Sequence, residues 1–154
     1  MTPPGAPDGR RSAPFGVLGG TFNPVHLGHL RAAEEVAEAL ELSRVLLVPS
    51  AEPPHKRERG GDPLAPAAQR LAWVERACAD NPRLEACDLE LRRGGASYTV
   101  DTLRALAERA APGRPVFLIG ADAFADLGSW REPETVSYTH LRAHETVLDL
   151  VCRL

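Results

Sequence analysis

The chain has 154 residues, 44% of them hydrophobic and 25% charged, with a formal net charge of −3. That length and mixture suit a single soluble globular domain with one good core. Without a long basic run the charge argues against a nucleic-acid partner, and no apolar run approaches the roughly 20 residues that span a bilayer.

Residues 1–14 are rich in Pro and Gly, carry Arg10 and Arg11, and lack a secretory apolar stretch; they read as a disordered lead. Residues 15–18, Phe-Gly-Val-Leu, form a short buried strand in this reading. Leu30, Ala33, Ala37 and Leu40 then recur at helical spacing. Between strand and helix runs Gly19-Gly20-Thr21-Phe22-Asn23-Pro24-Val25-His26-Leu27-Gly28-His29. Paired glycines let the chain bend sharply and bring its N–H groups close to a ligand, and the first helical turn leaves further N–H groups without partners. An anion fits such a place, and the helix dipole that favours it also disfavours positive charge on nearby histidines. His26 and His29, three apart, fall on one face of the helix and could reach one polyphosphate as neutral donors. The plainer reading is a tight turn with core or solvated histidines. A zinc pair would need a third ligand, which only His55 and the cysteines offer.

Residues 44–49 (Arg-Val-Leu-Leu-Val-Pro) fit a second buried strand, and residues 51–66, polar and broken by prolines and glycines, a long loop of the kind that often binds or covers a ligand. His55 and Lys56 lie in it; a loop lysine is commonly just solvated, but one here could close over a triphosphate. A second helix is expected over about residues 67–80 with Leu71, Val74 and Cys78 inward, then a strand near residues 84–91 in which Leu89 and Leu91 alternate with charges, as an exposed edge would. Ser97 or Thr99 caps a third helix that places Val100, Leu103, Leu106 and Ala107 on one face and stops at Pro112-Gly113. Ser97, Tyr98 and Thr99 thus sit at a helix N-terminus that could grip a carboxylate or phosphate, with plain capping as the alternative. Residues 115–120 give a fourth strand, and Asp122 and Trp130 follow it; a tryptophan there is most often core. Strands alternating with helices predict an α/β fold, a Rossmann-like open parallel sheet flanked by helices, with the ligand crevice at the strand carboxyl ends. Cys78, Cys87 and Cys152 are an odd set without close metal spacing, which suits a reducing cytoplasm better than a disulfide framework.

The stretch from Gly19 to His29 resembles the GGTFxPxHxGH signature of the nucleotidyltransferase superfamily, whose members transfer AMP or CMP to a phosphate acceptor. Pro54-His55-Lys56, Ser97-Tyr98-Thr99-Val100-Asp101-Thr102, and Gly120-Ala121-Asp122 with Trp130 follow in the order of the bacterial nicotinate mononucleotide adenylyltransferases, so the resemblance covers residues 15–134. It implies ATP and nicotinate mononucleotide as substrates, with Mg²⁺ accompanying ATP. The implied roles are His29, with His26, on the α-phosphate; Gly19, Gly20, Thr21, Phe22, His55 and Lys56 on the nucleotide phosphates; Ser97, Tyr98 and Thr99 on the nicotinate carboxylate. Trp130 would stack on the pyridine ring, and Asp122 would stand near the substrate ribose or phosphate. The same turn and histidines also occur in phosphopantetheine adenylyltransferases and cytidylyltransferases, against which SYTxDT and Trp130 argue.

The family's later ISxTxxR-type motif has no counterpart here. Residues 137–146 resemble a translated sequencing-adapter tail, and no Gly or Pro occurs after residue 136. The expected organisation is a lead over 1–14, a nucleotidyltransferase domain over 15–135 that is incomplete on its C-terminal side, and a non-native tail over 136–154. His140 and His144 are therefore not recruited as ligands. A truncated chain could hold a nucleotide without transferring anything.

Overall fold

The computed structural model describes residues 13–53, 63–110 and 113–140, with backbone alone for 121, 122 and 137–140. Strands β1 (Phe15–Gly20), β2 (Val45–Pro49), β3 (Leu84–Ala86) and β4 (Pro115–Leu118) form one sheet in the order β3-β2-β1-β4, every pair parallel. Helices α1 (Leu27–Ala39), α2 (Ala67–Cys78), α3 (Leu89–Arg93), α4 (Thr99–Ala110), α5 (Ala121–Ala125) and α6 (Pro133–His140) connect and flank the strands. The α/β sheet expected from the alternating pattern is thus the observed one.

Strand period explains the two-sided core. Leu18, Val45 and Leu47 point to one face, beneath Ala33, Val36 and Ala37 of α1 and Val74 and Cys78 of α2. Phe15, Val17, Leu46 and Val48 point to the other, against Val100, Leu103 and Leu106 of α4. β2 is buried at every position, as a central parallel strand covered on both faces should be. Gly16 belongs to this close packing, because a Cβ there would lie 2.9 Å from Val45 Cγ2.

β1 runs to Gly20, two residues further than its apolar run, because its ladder with β2 extends to the pair Gly20 and Pro49. From β1 the chain moves first to β2 on one side and later to β4 on the other, so the order reverses between β1 and β4. In open α/β sheets ligands bind at the carboxyl ends of strands flanking such a reversal.

Three expectations are corrected. The strand expected through Leu91 stops at Ala86, and Leu89 begins a helix: Leu-Glu-Leu-Arg-Arg are good helix formers, Arg92 Nε reaches Asp88 Oδ2 at 2.7 Å one turn away, and Gly94 ends the turn at φ +67°. Burial of Leu89 against the α4 side, not alternation, accounts for its apolar character. On α2 the fully buried partner of Val74 and Cys78 is Arg70, and Leu71 is only half-buried. Ser97 does not cap α4; its hydroxyl accepts the Ala51 N–H at 3.0 Å and joins two loops. The expected tail boundary at 136 falls within α6, where Val136 is buried in the α4-side core. The expected lead lies outside the described residues apart from its last two positions, and so does most of the expected long loop; residues 51–53 and 63–66 carry no helix, and Glu52 bridges Ala96. Among the described residues no helix is long and apolar enough to cross a membrane.

Candidate active site

β1 delivers Gly19 and Gly20 to the carboxyl edge of the sheet. Gly19 is exposed and a Cβ on it would meet nothing within 4 Å, so bare backbone faces open space there. A Cβ on Gly20 would come within 3.3 Å of the Phe22 ring. Phe22 as a whole is 2% exposed and belongs to the core packed under α1, so its ring is closed to a ligand, although the residue lines a cavity. Its φ of +49° is unusual for an aromatic residue, a strain found mostly where function demands it. The Phe22 N–H has no hydrogen-bond partner among the described residues.

His26 stands at the N-cap of α1 and His29 in its first turn. The His26 N–H donates to His29 Nδ1 at 3.2 Å. That bond requires a lone pair on Nδ1, which leaves the proton of a neutral His29 on Nε2. The two rings stack at 3.8 Å, and the Phe22 ring meets His29 edge-on at 5.0 Å. Burial first, and the neighbouring His26 second, lower the His29 pKa from 6.5 to about 4. The lowered pKa favours a neutral His29 at pH 7, and its largest cause is desolvation of the ring rather than the helix dipole. Folding then disfavours a proton that the unfolded chain accepts. Stability is accordingly complete above about pH 6.5 and should fall as the pH drops toward 4. Urea unfolding of the wild type and His29→Gln across that window is expected to show the extra acid sensitivity only in the wild type; parallel curves would disprove it.

Two cavities meet at Thr21. One, about 310 Å³, is lined by Thr21, Phe22, Asn23, Pro24, His26 and His29. The other, about 270 Å³, runs from Gly19, Gly20 and Thr21 to the start of α4 with Ser97, Tyr98 and Thr99, and to Trp130. Trp130 is half-buried, its ring held edge-on by Phe117 at 6.1 Å, and Arg131 lies over the Tyr98 ring at 4.8 Å. The structure thus brings ten of the sequence-derived residues into the walls of these cavities from three segments of chain: Gly19, Gly20, Thr21, Phe22, His26 and His29 around the turn, then Ser97, Tyr98 and Thr99, then Trp130. His55 and Lys56 lie outside the described residues, and Asp122 is placed on α5 by its backbone alone.

Sequence reasoning missed Glu90, Arg131 and Ser50, which line the second cavity, beside Trp130. Glu90 is 7% exposed and accepts from Thr102 Oγ1 at 2.7 Å, while Arg93 Nη2 donates to the same hydroxyl at 3.1 Å. Burial raises its pKa against the opposing pull of Thr102, Ser97 and Arg93. A misread strand hid it, since an exposed edge predicts a solvated Glu90. Among the described residues no group of three or more His, Cys, Asp or Glu side chains is placed to hold a metal ion.

Residues 17–148 match the cytidylyltransferase-like family. Over 120 residues the chain is 49% identical to a "Probable nicotinate-nucleotide adenylyltransferase" of Symbiobacterium thermophilum, covering 78% of this chain and 56% of that protein. It is 52% identical over 120 residues to a protein of the same name from Trichlorobacter lovleyi, with 75% and 53% covered. The chain spans about half the length of the curated relatives it matches. The Plasmodium falciparum nicotinic acid mononucleotide adenylyltransferase complexed with NaAD has the same fold, with a TM-score of 0.68 at 18% identity over 91% of this chain and 72% of that one. The same enzyme complexed with APC gives 0.65 at 17% identity, covering 90% and 70%.

Proposed function

Because this chain belongs to the cytidylyltransferase-like family, we propose that it transfers AMP from ATP to nicotinate mononucleotide, giving deamido-NAD and pyrophosphate. The observation that carries the reading is the pair of cavities that both draw a wall from Thr21: one lined by the turn after the glycines and by two histidines, the other by the glycines, a helix N-terminus and an indole. Two phosphorylated substrates can meet there with the acceptor phosphate beside the α-phosphate of ATP. The relatives named as nicotinate-nucleotide adenylyltransferases support the choice of acceptor.

An oxygen of the acceptor phosphate attacks the α-phosphorus in line, the bond to the β-phosphate oxygen breaks, and pyrophosphate leaves. No protein nucleophile is needed, so the chain supplies positioning and charge stabilisation. The amides of Gly19, Gly20, Thr21 and Phe22 hold phosphate oxygens, and His55 and Lys56 add charge to the triphosphate. His29, neutral with its proton on Nε2, donates to an α-phosphate oxygen as negative charge builds, and His26 assists. The start of α4 at Ser97, Tyr98 and Thr99 receives the nicotinate carboxylate, Trp130 stacks on the pyridine, and Asp122 stands near the ribose or phosphate. Mg²⁺ accompanying ATP as part of the substrate would offset charge on the phosphates and would need few protein ligands. We place the reaction in the cytoplasm, which suits the free thiols of Cys78 and Cys87.

The test offers ATP with nicotinate mononucleotide, with its amide, or with phosphopantetheine, and follows pyrophosphate. Release with nicotinate mononucleotide is expected, and turnover with phosphopantetheine alone would overturn the reading. A second outcome of the same test is nucleotide binding without transfer. Calorimetric binding of the mononucleotide with no pyrophosphate from any acceptor would select it.

A further inference from the structure

Arg70 is 0% exposed, the largest fully buried side chain among the described residues. Its three kinds of donor nitrogen each reach a main-chain carbonyl on a different segment: Nε to Ala65 at 2.9 Å, Nη1 to Thr21 at 2.7 Å, and Nη2 to Ala51 at 3.2 Å. Ala51 follows β2 and Ala65 precedes α2, so these two carbonyls bracket the stretch that carries His55 and Lys56. Thr21 is the residue at which the two cavities meet. Among the described residues no carboxylate pairs with this guanidinium.

Burying a cation costs several kcal/mol, a cost usually met by a paired anion. Here three neutral carbonyls take that place, and burial lowers the Arg70 pKa, as expected of a desolvated cation. Lysine could not substitute. Its single ammonium cannot hold three carbonyls in the fixed directions of a planar fork.

We infer that Arg70 is a positioning residue for the phosphate-binding turn: by holding the Thr21 carbonyl inward it aims and polarises the Phe22 N–H toward bound phosphate. Across a trans peptide the carbonyl and the following N–H point in opposite directions, so a carbonyl fixed inside the protein turns the Phe22 N–H outward. A charged donor on that carbonyl also strengthens the N–H on the same peptide group as a donor. Both effects converge on an amide that has no partner among the described residues, at a residue held at φ +49°. The same side chain ties this peptide to the carbonyls of Ala51, just after β2, and Ala65, just before α2. This inference rests on the turn being the phosphate site proposed above.

The experiment compares ATP binding by calorimetry, melting temperature and amide exchange in the wild type and Arg70→Lys. The variant is expected to bind ATP about tenfold more weakly, to change mononucleotide affinity by less than about threefold, and to exchange the Phe22 amide faster. A variant that melts lower but binds ATP within about twofold of the wild type makes Arg70 merely structural and overturns the inference. Exchange in the wild type alone provides a check that needs no variant: ATP should slow the Phe22 amide. An unchanged Phe22 amide in an ATP-saturated wild type overturns Arg70's role while leaving the nucleotide reading in place, whereas a wild type that binds no ATP overturns both.

Discussion

Replacing His29 by alanine is expected to slow AMP transfer at least about a hundredfold, by analogy with removal of one preorganised donor from a transition-state anion site. A hundredfold corresponds to about 2.7 kcal/mol of barrier. The same change also removes the acceptor of the His26 N–H at the start of α1, a capping loss of only about 1 kcal/mol in stability. The two effects separate by measurement. The first appears in kcat with the mononucleotide dissociation constant unchanged, and the second in the melting temperature. His29→Ala retaining more than about a third of wild-type kcat would remove His29 from the chemistry, and a loss confined to KM would recast it as a ground-state contact.

Replacing Trp130 by alanine is expected to raise KM for the mononucleotide by about 10- to 100-fold, since stacking of a base-like ring on an aromatic side chain contributes about 1–3 kcal/mol. KM for ATP should move little, because ATP phosphates are assigned to the turn and the histidines on the other side of Thr21. Trp130→Phe retains a stacking face and should recover most of the loss. The bland reading of Trp130, a core indole resting on Phe117, makes a different forecast: a lower melting temperature with both KM values unchanged. Equal rises in both KM values would likewise count against a pyridine site, because they would report a general collapse of the cleft.

Why could a chain read without a partner sequence disclose so much of this site, and why not all of it? The turn from Gly19 to His29 is local. A short apolar strand, two glycines and the start of a helix fix one another's geometry within about a dozen residues, and the spacing of His26 and His29 follows from the helix itself. The sheet was legible for a similar reason, because runs such as Val45 to Pro49 are buried on both faces only in a covered parallel sheet. Short elements were less secure. Five residues from Leu89 to Arg93 make barely more than one helical turn, and at that length alternation and helical period predict nearly the same apolar positions.

By itself the sequence determined the strand-helix alternation, the glycine turn with its histidines, and the chain order of the motifs that carry the proposed chemistry. Tertiary structure alone decided that the start of α4 and Trp130 face that turn across a shared cavity, because β4 pairs with β1 some hundred positions away in the chain. It alone decided that Glu90 and Arg70 are buried. Sequence patterns read charge as exposure. Whether a charged side chain can leave water depends on the partners that folding brings to it, a hydroxyl from Thr102 for Glu90 and, for Arg70, three carbonyls, those of Thr21 and Ala51 from distant segments and that of nearby Ala65.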